Sequence, residues 1–292
     1  MSDIYEHVRP ERRHLFLASD EIRSLACRND LWINAPHAER VVNKISMMLK
    51  VKNKVQAPCL LVYGRGGSGK TTIIQRLQSL SENTDENLVF VNMRQNPNNW
   101  AFRELLFSAF DIAVTKRARA TLDISAQLRM MIKTRNIKGI VIDEVHDALT
   151  LTAVQQKINL SLLKNLSGSD YNLSVFAFGT EGAEEVLRAD PQLARRYAMH
   201  PLQDWQWNEG YRNFVASYIS FLPLKKITDL SKPTLLRAIH KESRGIMDNV
   251  VKLIQVCASA AVIDGAECID LDHVKSISSL CEEFGVAWEK IC

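Results

Sequence analysis

Cys59-Leu60-Leu61-Val62-Tyr63-Gly64-Arg65-Gly66-Gly67-Ser68-Gly69-Lys70-Thr71-Thr72 runs from a short apolar segment through a glycine-rich turn into Lys and Thr. Gly64 and Gly69 satisfy the phosphate-binding pattern G-x-x-x-x-G-K-[ST], and the apolar run before them reads as a buried strand. Gly66 and Gly67 let consecutive backbone N–H groups turn toward an anion without Cβ clashes, and Ser68 completes the turn. Lys70 then reaches the β- and γ-phosphates and the Thr71 hydroxyl a Mg²⁺ ion. Thr72 to Leu77 reads as helix, so the phosphate meets the positive end of a helix macrodipole. The expected nucleotide contacts are Gly64, Gly66, Gly67, Ser68, Gly69, Lys70, Thr71 and Thr72.

Outward from this loop, Leu88–Asn92, Gly139–Asp143 and Leu173–Phe178 read as further strands with helical stretches between them. Strands alternating with helices predict a parallel sheet covered on both faces, an α/β fold. Upstream, Ala38 to Leu49 places Val41, Val42, Ile45, Met48 and Leu49 on one helical face, and Arg9, Arg12 and Arg13 form a basic cluster. Downstream, Asn208–Phe221, Lys232–Lys241, Gly245–Ile263 and Asp270–Phe284 all read as helices. The expected organisation is an N-terminal helical region over 1–53, an α/β nucleotide-binding core over 54–204 and a C-terminal helical domain over 205–292.

The 292 residues, 46% hydrophobic and 24% charged, suffice for a full α/β core plus a smaller domain. The uncharged stretch Val256–Ile263 is far too short to cross a bilayer, and Met1-Ser2-Asp3-Ile4-Tyr5 lacks a signal-peptide pattern. A cytoplasmic location without membrane contact is the expectation. The six cysteines, Cys27, Cys59, Cys257, Cys268, Cys281 and Cys292, contain no C-x-x-C pair, so reduced thiols are expected, not zinc ligands or a disulfide framework. The net charge of +4 permits a polyanionic partner without requiring one.

Gly139-Ile140-Val141-Ile142-Asp143-Glu144 ends an apolar strand in two carboxylates, about 70 residues after the P-loop, as a Walker B element does. Asp143 is placed to hold Mg²⁺ through water. Glu144 is placed to orient or deprotonate an attacking water, because hydrolysis depends on positioning and charge stabilisation. His146 and Asp147 read as a polar helix start. Thr180 closes the fourth strand, where a γ-phosphate-sensing side chain would lie; the helical pattern from Glu181 offers helix capping as its alternative role. In Asp190-Pro191-Gln192-Leu193-Ala194-Arg195-Arg196-Tyr197, just before a last strand at Met199–Leu202, an arginine can project to the γ-phosphate of a neighbouring subunit. Arg196 is the first candidate and Arg195 the second; a surface pair bridging Asp190 is the plain alternative.

With these residues in place the chain resembles the AAA+ ATPases, and more narrowly the transposition ATPases TniB and TnsC, over nearly its whole length. Asp30-Leu31-Trp32-Ile33-Asn34-Ala35-Pro36-His37-Ala38 resembles the family's N-terminal element that helps enclose adenine, which assigns Trp32 and Ile33 to the nucleotide site. Leu193–Tyr197 resembles its arginine-finger segment and Ser243–Leu253 its lid helix. Two positions depart from most AAA+ proteins: Asp248 or Asn249 stands where a sensor-2 arginine is usual, and Thr180 where Asn is common. The resemblance implies an AAA+ fold with a helical lid, ATP and Mg²⁺ as ligands, and ATP hydrolysis. It also implies homo-oligomeric rings or helical filaments on duplex DNA and recruitment of a DDE transposase similar to TniA or TnsB. A TniQ-like targeting protein is a further implied partner.

For DNA contact, Lys116, Arg117 and Arg119 cluster between two helical stretches, where the family places a DNA-facing loop; Arg94 and Arg103 can extend the stripe. A solvated charge run is the alternative. Trp205 and Trp207 read as a partner surface or as packing at a domain junction. Two other classes share the nucleotide-binding residues. One is a replication initiator, loader or secretion-associated AAA+ ATPase; the other is a P-loop kinase, against which the Asp143-Glu144 pair and the paired arginines argue.

Overall fold

A computed structural model describes residues 5–51, 55–84, 87–93, 101–112, 123–149 and 151–288. The chain forms two compact units, Met1–Pro36 with Asp204–Cys292, and His37–Gln203. Residues up to Pro36 cluster with the C-terminal helices.

The elements in chain order are a 3-10 helix at Pro10–Leu17, α1 (Asp20–Cys27), α2 (Pro36–Leu49), β1 (Cys59–Tyr63), α3 (Lys70–Asn83), β2 (Leu88–Asn92), α4 (Phe102–Ala109) and α5 (Asp123–Thr134). There follow β3 (Gly139–Asp143), α6 (His146–Leu149), α7 (Ala153–Ser167), β4 (Ser174–Gly179), α8 (Glu181–Ala189), α9 (Pro191–Arg196) and β5 (Tyr197–Pro201). The chain continues through α10 (Glu209–Ile219), α11 (Pro233–Ser243), α12 (Met247–Ile263), α13 (Leu271–Lys275) and α14 (Ile277–Glu283).

In the His37–Gln203 unit, five strands form one parallel sheet in the order β2-β3-β4-β1-β5. β1, β3 and β4 are central, and Leu60, Leu61, Ile140, Ile142, Val175, Phe176 and Phe178 are fully buried. That explains why these strands read as unbroken apolar runs and not as alternating ones: helices cover both faces. Leu106, Leu128, Leu163 and Leu187 from α4, α5, α7 and α8, with Phe110 just after α4, join the core that includes Leu61, Ile140 and Ile142. The α/β AAA+ P-loop architecture expected from the sequence is the one observed.

In the other unit, α12 is the central helix, with Leu253 to Val262 buried without interruption, as a helix apolar on all sides must be. α1 lies against it, with Ser259 Oγ donating to Ser24 O at 3.0 Å and Ser24 Oγ to Ser259 O at 3.3 Å. Two of the N-terminal basic residues are structural: Arg12 donates to Phe221 O and Ala26 O, and Arg13 to Val8 O. The single helix expected over Asp270–Phe284 is instead two short ones, because Ser276 leaves the helical region between α13 and α14. Asp270 caps the first through the Asp272 and His273 N–H groups.

Candidate nucleotide site

The strand register brings the chemistry to one edge. Tyr63 pairs with Gly179 and Pro201, and Ile142 with Ala177, so the C-terminal ends of β5, β1, β4 and β3 lie level. The loops leaving them are tied together: Gly64 N–H donates to Gly179 O at 3.2 Å, Leu202 N–H to Tyr63 O at 2.7 Å and Val145 N–H to Phe178 O at 2.9 Å. Because β4 sits between β1 and β3, Thr180 follows the strand that separates the P-loop from the Asp143-Glu144 pair. Ligands of open parallel sheets bind at this carboxyl edge.

Gly67 and Gly69 have φ of +76° and +89°, a region that side-chain-bearing residues rarely adopt, and Gly69 is the residue from which α3 starts. Gly64 is required for another reason: a Cβ there would stand 2.7 Å from Leu202 O and 3.1 Å from Ser68 Oγ. Lys70 is buried, and its Nζ donates to Gly64 O at 2.8 Å, Arg65 O at 2.9 Å and Ser68 Oγ at 3.4 Å. The ammonium thus braces the loop from within. Thr71 and Thr72 are exposed in the first turn of α3.

Asp143 and Glu144 are both buried, at 7% and 8% exposure, an arrangement that favours a neighbouring cation over two desolvated carboxylates alone. Asp143 Oδ1 accepts the Glu144 N–H at 2.9 Å. Glu144 has φ of +53°, a left-handed conformation that costs a non-glycine residue ~1–3 kcal/mol and is found where a side chain must be aimed. His146 Nδ1 lies 3.2 Å from Glu144 Oε2. This partner was missed in sequence, where His146 read only as a polar helix start, although its place two residues after the glutamate was visible. Thr180 occupies the N-cap position of α8, yet its side chain makes no capping hydrogen bond.

Arg195 and Arg196 differ in surroundings. Arg196 donates to Lys164 O at 2.8 Å and Ser167 Oγ at 3.4 Å, at the end of α7, whereas Arg195 is exposed. Asp190 is engaged by Lys164 at 2.6 Å and by the N–H groups of Gln192 and Leu193. Both arginines precede β5 and so lie at the N-terminal edge of the sheet, where Arg196, Lys164, Gln192 and Gln56 line a polar cavity of about 450 Å³. Trp32 and Ile33 belong to the helical unit, Trp32 Nε1 donating to Asn34 Oδ1 at 2.8 Å and Ile33 being buried. In the same unit Asp248 pairs with Lys252 at 2.7 Å and Asn249 Nδ2 donates to Ser243 O at 3.5 Å. Arg103 is exposed on α4 with its guanidinium 5.3 Å from the Phe107 ring centre. Arg94, Lys116, Arg117 and Arg119 lie outside the described residues.

The sequence profile of the family described as Bacterial TniB protein matches residues 23–207. The chain belongs to the TniB family. Its span runs from α1 through β5 and includes the P-loop, Asp143-Glu144, Thr180 and both arginines. A comparison with curated proteins found no match. Among solved structures, this TniB-family chain is similar to Drosophila ORC bound to DNA, with a TM-score of 0.59 at 13% identity over 92% of this chain and 67% of that one. The Pyrobaculum aerophilum Cdc6p gives 0.57 at 14% over 91% and 85%, and the Aeropyrum pernix ORC1 in complex with DNA 0.58 at 15% over 88% and 68%. At these identities the likeness concerns the fold, an AAA+ P-loop NTPase. Among the described residues no helix is long and apolar enough to cross a membrane.

Proposed function

We propose that this TniB-family protein is a cytoplasmic, ATP-controlled DNA-binding regulator of transposition. Bound to ATP it assembles as a homo-oligomer on target duplex DNA and recruits a DDE transposase similar to TniA or TnsB, with a TniQ-like protein as a further partner; hydrolysis resets it. The observation that carries the reading is the alignment of the P-loop, Thr180 and Asp143-Glu144 along one edge of a parallel sheet in a chain of this family.

In this mechanism the γ-phosphate takes over the Lys70 ammonium from the Gly64 and Arg65 carbonyls, which couples nucleotide binding to the shape of the loop. The Thr71 hydroxyl and Asp143 are the residues to hold Mg²⁺, which when bound neutralises charge on the phosphates. Glu144 positions and deprotonates water, and Thr180 senses the γ-phosphate with a hydroxyl that capping does not use. Trp32 and Ile33 enclose adenine. β5 is five residues long, about 16 Å at 3.3 Å per residue, so an arginine before it serves a γ-phosphate held by another copy. Arg195, which is exposed, fits that role better than Arg196, which is engaged by α7. Lys116, Arg117, Arg119, Arg94 and Arg103 are proposed DNA contacts.

Electron microscopy of the protein with duplex DNA, Mg²⁺ and a non-hydrolysable ATP analogue, beside ADP, tests this. Rings or filaments with the analogue alone, lost in Lys70→Ala, are expected; monomers in both samples, or unchanged DNA binding in Lys70→Ala, would overturn it. An initiator or loader is the second reading, favoured by the replication-protein structural neighbours. Assembly indifferent to a transposase would favour it.

A further inference from the structure

Trp205 and Trp207 stand two residues apart before α10 and have different surroundings. Trp205 is buried: its ring stacks on Phe214 at 5.0 Å, its indole Nε1 donates to Met247 Sδ at 3.4 Å, its backbone N–H donates to Gly245 O at 2.7 Å and His240 Nε2 donates to its carbonyl at 2.8 Å. Trp207 is half-buried. The guanidinium of Arg212, from α10, lies 4.9 Å from its ring centre and that of Arg237, from α11, lies 5.7 Å away. Tyr211 and His240 flank the same ring at 6.0 and 5.9 Å. Lys241, one turn after Arg237 on α11, is also exposed. The acidic residues nearest in sequence, Glu209 and Glu242, form no ion pair with Arg212, Arg237 or Lys241 among the described residues.

Two guanidiniums gathered at one indole repel each other, and the ring holds both. A cation–π contact at an exposed site stabilises by ~0.5–1 kcal/mol. A guanidinium lying over an aromatic ring keeps its N–H groups in its own plane, directed outward and fixed for a bidentate acceptor. We infer that Trp207, Arg212, Arg237 and Lys241 form a contact surface on the helical unit for the phosphate backbone of duplex DNA. The inference rests on the duplex-DNA reading above and adds to it residues other than Arg103 and those of 94–119.

DNA is favoured over an acidic protein segment by the state of the indole. Protein interfaces centre on aromatic anchors that offer an apolar face, with charge kept to the rim. Here guanidiniums occupy the ring that such an anchor would present. The exposed side chains of Arg212, Arg237 and Lys241 offer donors suited to repeated phosphates and indifferent to base sequence.

The test is a titration of labelled duplex DNA of mixed sequence with the full chain, in Mg²⁺ and a non-hydrolysable ATP analogue, over a salt series. Each phosphate contact contributes a slope of about −0.9 in log affinity against log salt, so Arg212→Gln with Arg237→Gln should flatten the slope by about 1.8. The loss should be equal on unrelated duplexes. Trp207→Ala, which removes no charge, should weaken binding by releasing both guanidiniums, and Trp207→Phe should restore part of it. Thermal melting shows whether each variant is folded. Wild-type binding with an unchanged slope in the folded double variant overturns the site, as does weakened binding at constant slope. Failure of the wild type itself to bind duplex refutes the DNA reading as a whole, a distinct outcome.

Discussion

Replacing Arg23 by Met is expected to destabilise the protein by about 3 kcal/mol at neutral pH. Arg23 is fully buried on α1 and reaches across the helical unit to both carboxylate oxygens of Glu267, to Pro223 O at 2.8 Å and to Asp20 Oδ1 at 2.7 Å. Methionine fills much of the volume but leaves Glu267, only 7% exposed, without its main partner. Breaking a buried ion pair from one side costs about 3–5 kcal/mol. The lower end applies because Lys225 still donates its N–H at 3.1 Å and its ammonium at 3.1 Å to Glu267. The melting temperature should fall by roughly 10 °C. Burial alone would push the Glu267 carboxyl upward, but Arg23 and then Lys225 outweigh it and hold it at about 2, below its ordinary 4.5. A depressed carboxylate stabilises the fold fully above its unfolded value, and that contribution is lost as pH falls from about 4.5 toward about 2. The gap between wild type and variant in urea denaturation followed by circular dichroism should therefore be full at pH 7 and shrink through this window. The double variant Arg23→Met with Glu267→Leu should recover part of the loss, since both charges are then gone. A single variant within about 1 kcal/mol of wild type, against the ~3–5 kcal/mol expected for a broken buried pair, or a gap that widens on acidification, would refute this account.

Glu144→Gln should leave nucleotide affinity intact while lowering the ATP turnover number by about 10²–10⁴, the usual contribution of a general base; single-turnover hydrolysis measures it, and a change confined to KM would count against the role. Arg195→Ala should lower turnover by about 10³ or more at protein concentrations where the oligomer forms, with melting unchanged. Arg196→Ala should instead cost about 1 kcal/mol of stability through loss of its bonds to Lys164 O and Ser167 Oγ, so a reversed pattern in paired turnover and melting assays would exchange the two roles. Gly64→Ala places a Cβ against Leu202 O, which should cost about 1–3 kcal/mol and weaken binding of a fluorescent ATP analogue; wild-type melting and affinity would show that the loop yields freely.

The sequence by itself determined what depends on neighbours along the chain. A glycine-rich turn between an apolar run and a helix has few conformations open to it, so the P-loop, the strand ending in Asp143-Glu144 and the buried face of the sheet were legible from residue type and spacing. Strand limits at Leu88–Asn92 and Gly139–Asp143 agree with the expected ones, whereas the fourth strand runs Ser174–Gly179 instead of Leu173–Phe178 and the last Tyr197–Pro201 instead of Met199–Leu202, because pairing with neighbouring strands sets their ends. The tertiary structure decided everything that rests on partners remote in sequence. Only the strand order places β4 between β1 and β3, and with it Thr180 between the P-loop and the carboxylates. Arg23 and Glu267 are 244 positions apart, and no local signal marks Arg23 as buried while Arg12 and Arg28 nearby remain at least partly exposed. The same holds for Arg195 against Arg196 and for Trp205 against Trp207. Within each pair the residue types are identical, and the difference is made by which helix end or ring the fold brings alongside, a long-range packing property that side-chain chemistry alone does not encode.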